Sequence, residues 1–472
     1  MSRIGLQYKV DISRVVGDIW TSDETYRNLQ TLCSFGNRFG GTPGEMKARD
    51  FVRKKFEQYG LDEVHVEEFE YVGWKHISAS ARIIEPVEKA ISIAPYAYSA
   101  RTKGEGVKGE IVFLGYNLPS TFEANKDCIR GKIPLVIHAI ASESTETPNP
   151  IDATNMATKY GARALIMMTQ KYGRLQQIDE CQVERWSKIP VVGVSLEDGE
   201  YLRRLGRDGK VIVEMKLENL TEKMKSWNVV GEITGREKPD EQVIVAAHFD
   251  SFYIGEEGAL DDAAGACTVL EIARVLAKLR VKPRRTVKFI CFPLEEIGSI
   301  GSYRYVAQHL KDLKKAILML NLDEAGSPGT KKYVVNDPHL INYLRKNLDD
   351  LGYEQMRIAT EFDIPPGDEA PFLYAGVPTI WMRLGPPFIP DIDGRYSHTA
   401  EDTVDKINPR DMREAAMLAT YTLLNYVNLD EPVARKRTIR EVRKILDANR
   451  YTEYLRSESR WEFVERTFLT SH

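Results

Sequence analysis

The sequence predicts an α/β fold: a mixed, mostly parallel central sheet flanked by helices, carrying a β-rich insert. Three observations predict it. Over residues 227–430, strand-like runs alternate with helical patterns, as they do in an α/β sheet. Those strand runs are nearly continuous in apolar residues, the pattern of strands covered on both faces. Residues 104–220 instead show short β-rich runs between turn residues, which sets them apart as an insertion.

The 472 residues are 43% apolar and 28% charged, an ordinary globular composition, and at about 150 residues per domain they predict two or three domains. Residues 1–103 read as the N-terminal segment of the main domain. Here Ala48, Phe51, Val52 and Phe56 form one stripe of a helix over Glu45–Tyr59, Gly60 supplies its left-handed stop, and His65–Val72 alternates like a half-buried strand. Residues 104–222 read as the insert, with strands at Gly109–Leu114, Lys132–His138, Ala164–Met168, Pro190–Ser195 and Lys210–Met215 and one helix at Asn155–Tyr160. In residues 223–430 the strands are Gln242–Ala247, Thr286–Phe292, Ala316–Leu322 and Thr379–Arg383, separated by helices at Ala263–Leu279, Ile300–Leu313, Pro338–Leu351 and Pro409–Val427. Residues 431–472 form a helical C-terminal extension, with Ile439, Val442 and Leu446 at helical spacing. It packs on its own domain or contacts a second subunit.

Charge and cysteine usage exclude several classes of function. The 65 basic and 69 acidic residues give a net charge of −4, which argues against a nucleic-acid or membrane-surface partner. Residues Met1–Val10 lack the apolar core of a signal peptide and no uncharged run is long enough to span a bilayer, so the expected location is cytoplasmic. Five scattered cysteines without a C-x-x-C pair suit neither a disulfide scaffold nor a thiolate metal site. With eight histidines in all, a metal site has to draw on carboxylates.

Chemistry gathers where the strands end, the place open α/β sheets put ligands. The first strand delivers His248-Phe-Asp250-Ser, the next Glu295-Glu296-Ile-Gly, and the third Asp323-Glu324. Between them lies Gly258-Ala-Leu-Asp261-Asp262-Ala-Ala-Gly265, and later Tyr396-Ser-His398-Thr-Ala-Glu-Asp402. Carboxylates converging on one sheet edge repel unless cations neutralise them. Two divalent ions about 3.5–4 Å apart need a bridging carboxylate, plus one His and one further carboxylate for each. Asp261 is assigned as the bridge, His248 and Asp323 to one ion, Glu296 and His398 to the other. Three ligand carboxylates then face four positive charges. Asp250 is placed to accept the second ring N–H of His248. Glu295, adjacent to a ligand but pointing elsewhere, is placed to take a proton from the attacking water and return it to the departing amine.

These residues resemble the M28 family of co-catalytic zinc peptidases, in the branch with an inserted protease-associated (PA) domain. The resemblance extends to Asn321-Leu-Asp323, Ser397-His398-Thr, Asp402-Thr403, the insert's Ala157–Ile166 and Ile189–Ser195, and the early Phe35–Gly44. It implies a zinc exopeptidase-like fold of the phosphorylase/hydrolase type, two Zn2+ per chain with Co2+ or Mn2+ as substitutes, a peptide substrate, the five ligands above, Glu295 as acid/base, and Tyr396 as an oxyanion donor. Relatives carry Ser-Asp-His before a late Pro-Phe, whereas this chain reads Gly367-Asp368-Glu369-Ala-Pro371-Phe372. Alternatives remain: a single-zinc glutaminyl cyclase and a non-catalytic receptor on the same fold. M20-type hydrolases place their extra domain after the Glu-Glu pair, whereas here the insert precedes His248. Aminopeptidase polarity would use Glu295 or Glu369 for the substrate ammonium. Carboxypeptidase polarity would use Arg383 or Arg395 for the carboxylate. A homo-oligomer could form through the extension or the insert.

Overall fold

The computed structural model describes residues 12–138, 149–254, 257–360, 367–385 and 396–470. A mixed sheet of 14 strands organises them. On the catalytic side its order is Arg357–Ala359, Lys331–Val335, Thr379–Leu384, Ala316–Asn321, Lys238–His248 and Arg285–Phe292. Lys238–His248 pairs in parallel with both Ala316–Asn321 and Arg285–Phe292. Successive residues of that central strand face opposite cores. Val243, Val245 and Ala247 pack beneath helices Ala264–Lys278, Pro409–Val427 and Pro43–Tyr59, while Ile244 and Ala246 pack towards Ile300–Gln308 and the C-terminal helices. Each such Val or Ile side chain contributes roughly 1.5–3 kcal/mol by its burial, so the continuous apolar run is physically required.

The expected strands and helices of the main domain form, with ends shifted by a few residues. Pro43–Tyr59 starts on the Thr42 side chain and stops at Gly60, whose φ is 79°. Ile300–Gln308 ends earlier than expected and passes into a 3-10 turn at Asp312–Lys315. Lys331–Val335 and Arg357–Ala359 were not anticipated. Both are short, and the latter lies at the sheet edge, where burial patterns fade.

The largest departure is a ribbon. Asp62–Glu85 and Ile212–Ile233 pair antiparallel along nearly their whole length, where the sequence showed only His65–Val72 and Lys210–Met215. The ribbon buries alternate residues such as Phe69, Tyr71, Val213, Met215 and Leu217 and leaves the others, with the stretch at 75–80 and 220–225, largely to solvent, so charges interrupt its apolar residues and cross-strand ion pairs such as Lys225–Glu68 at 2.6 Å lie along it. Ile212–Ile233 joins the two parts of the sheet: Val229–Ile233 pair with Cys291–Val287, and Ile212–Met215 with Glu110–Val107. Val107–Tyr116, Ile133–Ile137, Leu165–Met168 and Val191–Val194 then continue in parallel. This segment is richer in helix than the sequence suggested. Besides Pro150–Lys159 it contains Pro119–Ala124, Lys126–Ile129 and Leu196–Asp208, the last started by Ser195 accepting from the Asp198 N–H.

In the extension, Ile439–Ala448, Tyr451–Ser457 and Trp461–Phe468 bury Val442, Leu446, Leu455, Val464 and Phe468 against the chain's own core. All five cysteines are free. Among the described residues, no helix is long and apolar enough to cross a membrane.

Candidate metal centre

Parallel pairing brings the strand ends level: His248 lies opposite Phe292, and Ala246 opposite Asn321. The loops that leave these ends therefore open on one side, carrying Glu295 and Glu296 after one strand and Asp323 after another. Asp261 comes from the turn that starts helix Ala264–Lys278.

All five expected ligands meet. His248, Asp261 and Asp323 form one triad and Asp261, Glu296 and His398 another, with ligand atoms of each within 4.8 Å of one another. Asp261 is common to both and gives one oxygen to each side. Its Oδ1 is 3.1 Å from His248 Nε2 and its Oδ2 is 3.1 Å from His398 Nε2. His248 Nε2 lies 3.7 Å from Asp323 Oδ1, and His398 Nε2 lies 3.3 Å from Glu296 Oε2. Buried acceptors are normally bonded, yet among the described residues Glu296 Oε2 and Asp323 Oδ1 find no hydrogen-bond partner. Orphaned carboxylate oxygens beside two imidazoles form a donor set that fits a pair of divalent cations.

The adjacent glutamates diverge as expected. The Glu296 side chain is 2% exposed, whereas that of Glu295 is 18% exposed, with its Oε2 4.0 Å from His248 Nε2. Ser299 Oγ donates to Glu295 Oε1 at 3.1 Å. Asp250 Oδ1 stands 3.3 Å from His248 Nδ1, an ion-pair distance, without a hydrogen bond between them. Asp250 also accepts the backbone N–H groups of Glu295 and Glu296, at 3.1 and 3.4 Å. It thus ties the histidine strand to the glutamate loop, a wider role than sequence assigned it. Tyr396 is defined by packing: its ring lies half-buried against the main core, with Lys406 Nζ 4.9 Å from its centroid.

Several supports were invisible in the sequence. The carboxylate of Asp402 accepts the N–H groups of Leu260 and Asp261, at 2.7 and 3.1 Å. That of Asp262 accepts those of Gly265 and Glu324, both at 3.0 Å. Trp381 Nε1 donates to the Asp323 carbonyl at 2.9 Å. Buried Arg38 donates to the carbonyls of Phe249, Glu257 and Gly258. From the extension, Arg460 donates to the carbonyl of Gly298, just past the glutamate pair, and lies over the Tyr303 ring. Sequence spacing offers no signal for such long-range partners.

Left-handed backbone occurs on these loops as well as elsewhere in the chain. Leu294, Ser299, Glu324 and His398 all have positive φ, between 52° and 61°, at a cost of about 1–3 kcal/mol each. Burial pushes the carboxyls of Glu295 and Glu296 well above the ordinary range, reinforced by Asp323 and Asp261 respectively. Burial alone would lower His248, but Asp250, Asp261 and Asp323 together hold it well above its ordinary value. The metal-free cluster therefore retains protons.

Among the candidate substrate contacts, Glu369 accepts from Asn321 Nδ2 at 2.9 Å, and burial pushes its carboxyl up to about 7. The neighbouring Asp368 is fully buried, with its carboxyl pushed up to about 8 by that burial. Arg383 is engaged with Glu324, at 3.0 and 2.8 Å, and stacks on Trp381. Arg395 lies outside the described residues.

Comparison with known proteins agrees with this arrangement. Residues 228–423 match the model of peptidase family M28. Carboxypeptidase Q of Homo sapiens is 26% identical over 426 residues, covering 86% of each chain. Aminopeptidase YwaD of Bacillus subtilis is 26% identical over 408 residues, covering 84% of this chain and 83% of its own. The crystal structure of a peptidase M28 precursor from Shewanella amazonensis superposes with a TM-score of 0.76 at 23% identity, over 91% of this chain and 98% of that one. The family match includes every strand that carries a ligand, and residues 228–423 thus resemble a peptidase M28 domain, a hydrolase of the metallo-exopeptidase class.

Proposed function

We propose that this chain is a zinc exopeptidase working with two metal ions, and that it removes residues from the amino end of peptides. The sharing of Asp261 between two His-and-carboxylate triads carries the paired-metal reading, since a single-zinc centre needs no such bridge. His248 and Asp323 would hold one ion and Glu296 and His398 the other. Bound ions of this kind polarise the scissile carbonyl and acidify the attacking water. Glu295, partly exposed beside His248, would take the proton from that water and give it to the leaving amine. Asp250 orients His248 and the glutamate loop together.

Amino-end polarity is supported by carboxylates at the site: Glu369 stands beside Asn321 and Asp323, and Glu295 is partly open to substrate. Arg383, a candidate carboxylate clamp, is engaged with Glu324. Carboxypeptidase polarity is the second reading, favoured by the similarity to Carboxypeptidase Q. Residues 104–222 are read as a PA-like insert.

Zinc-loaded Glu295→Gln tests the central assignment. It should retain its metal and its fold while losing 10²–10⁴-fold in kcat. Turnover equal to wild type would refute the assignment. Parallel assays on free-amine and N-blocked dipeptides decide polarity, because an aminopeptidase cleaves only the former.

A further inference from the structure

Two hydrogen bonds reach the His398 loop from a part of the chain outside residues 228–423. Lys171 Nζ donates to the Ser397 carbonyl at 2.6 Å, and the Ile178 N–H donates to the His398 carbonyl at 3.2 Å. The carbonyl of residue 397 belongs to the peptide plane before the His398 Cα, and the carbonyl of residue 398 to the plane after it. Because each peptide unit is planar, holding both planes fixes φ and ψ of His398, and with them the direction of its Cα–Cβ bond. That backbone is left-handed, at φ 59°, a conformation that persists in a non-glycine residue only when its surroundings impose it. Phe252, whose ring centroid lies 4.5 Å from that of the imidazole, completes the setting of the ring.

The donors are themselves held in place. Lys171 is 7% exposed, and its own N–H donates to Thr169 Oγ1 at 3.1 Å, just past the Leu165–Met168 strand. The segment around Ile178 is fastened by the Ala97 N–H on the Asp179 carbonyl and the Cys181 N–H on the Ala97 carbonyl, at 2.9 and 3.0 Å. We propose that Lys171, with the Ile178 amide, is a positioning residue for the metal ligand His398. In this arrangement the 104–222 segment completes the metal centre by holding one ligand, beyond any part it plays in covering the site. The inference rests on His398 being a ligand, as the proposed function has it.

A double-mutant cycle in zinc affinity, read by competition with a chromophoric chelator and requiring no turnover, tests it. Lys171→Met should weaken zinc binding by about 10–100-fold, the usual effect of losing a group that orients a ligand. Lys171→Arg, which keeps a donor, should recover most of that loss. Combined with His398→Ala, Lys171→Met should add nothing further, because both act through the same imidazole. Wild-type zinc affinity in folded Lys171→Met, or losses that multiply in the double variant, would overturn the proposal. If the methionine variant fails to fold, Lys171→Gln takes its place in the cycle and is judged by the same two results. The zinc content of the wild type is read separately. One ion per chain would refute the paired-metal reading, while the coupling between Lys171 and His398 is still decided by the cycle. Unchanged zinc binding in His398→Ala would refute both.

Discussion

Asp402→Asn probes the frame around the shared ligand. In the wild type, its two carboxylate oxygens accept the N–H groups of Leu260 and Asp261, at 2.7 and 3.1 Å, in a turn whose residues are all buried. Burial lifts the Asp402 carboxyl to about 7, so at pH 8 it is mostly ionised, and hydrogen bonds to a charged acceptor contribute about 1.5–3 kcal/mol each. Asparagine keeps one acceptor and turns an NH2 group towards the other N–H, so one bond is lost and a buried donor is left unsatisfied. The expected destabilisation is about 3 kcal/mol, measured by urea unfolding of the metal-free protein. Because Asp261 belongs to both triads, the loosened turn should weaken both ions, by about 10–100-fold, in chelator competition. Lys171→Met should by contrast leave the His248–Asp323 side intact. Urea stability within about 0.5 kcal/mol of wild type, the range of an ordinary surface substitution, together with unchanged zinc affinity, would show that Asp402 does not hold the turn.

Glu45, away from the metal triads, sets a pH dependence. It is buried, accepts from Ser226 Oγ and the Gly41 N–H, and burial lifts its carboxyl from 4.5 to about 7. The folded state thus favours its protonated form, so this stabilisation is complete below about pH 4.5 and disappears as pH rises through 7. At about 1.36 kcal/mol per unit the change is of order 3 kcal/mol. Glu45→Gln should remove that share of the slope in urea titrations between pH 5 and 8.5, and an unaltered slope would count against it. Gly265→Ala would place a Cβ 2.3 Å from both Asp262 oxygens and 2.5 Å from the Leu322 carbonyl oxygen. It should cost 3 kcal/mol or more, above the usual ~1–3 for overpacking, while Gly206→Ala, with nothing within 4 Å, should stabilise its helix by up to about 1 kcal/mol. Equal melting temperatures for the two variants would contradict this. Arg460→Met leaves Glu458, 2% exposed, without its cation 3.8 Å away, and should lose about 3–5 kcal/mol in the same unfolding assay; a loss below 1 kcal/mol would mean the pair is not structural.

What was readable from the sequence followed a physical rule. The strands of the main domain announced themselves because both faces are buried, so Val243 to Ala247 had to be apolar. Four of the ligands could be read by position, His248, Glu296 and Asp323 where apolar strands stop and Asp261 where a helix opens, while His398 was found only through its motif. The ribbon was hidden for the opposite reason: Asp62–Glu85 and Ile212–Ile233 stabilise each other by pairing along their length, but one set of alternate residues and the stretch at 75–80 and 220–225 are left largely to water, so charges break up the apolar pattern. The supporting bonds were hidden because they are long-range. Asp402 meets residue 260, Trp381 meets residue 323, and Lys171 meets residue 397. No local periodicity encodes such pairings.

The strain and the electrostatics of the centre point the same way. Four residues with positive φ stand on the loops that bear or adjoin Glu295, Glu296, Asp323 and His398, and the carboxyls of Glu295, Glu296 and Asp262 are all raised well above the ordinary range by burial and by the neighbouring Asp261 and Asp323. Both become favourable when cations enter, because a ligand carboxylate must give up its proton to bind, and the charge that neutralises it also rewards the backbone that aims it. Metal uptake should therefore release protons and raise stability together. The bonds from Asp402, Asp262, Arg38 and Lys171 then have a common purpose: they hold the loops near their liganded geometry before the metal arrives, so that binding energy is spent on the ions and not on ordering the chain.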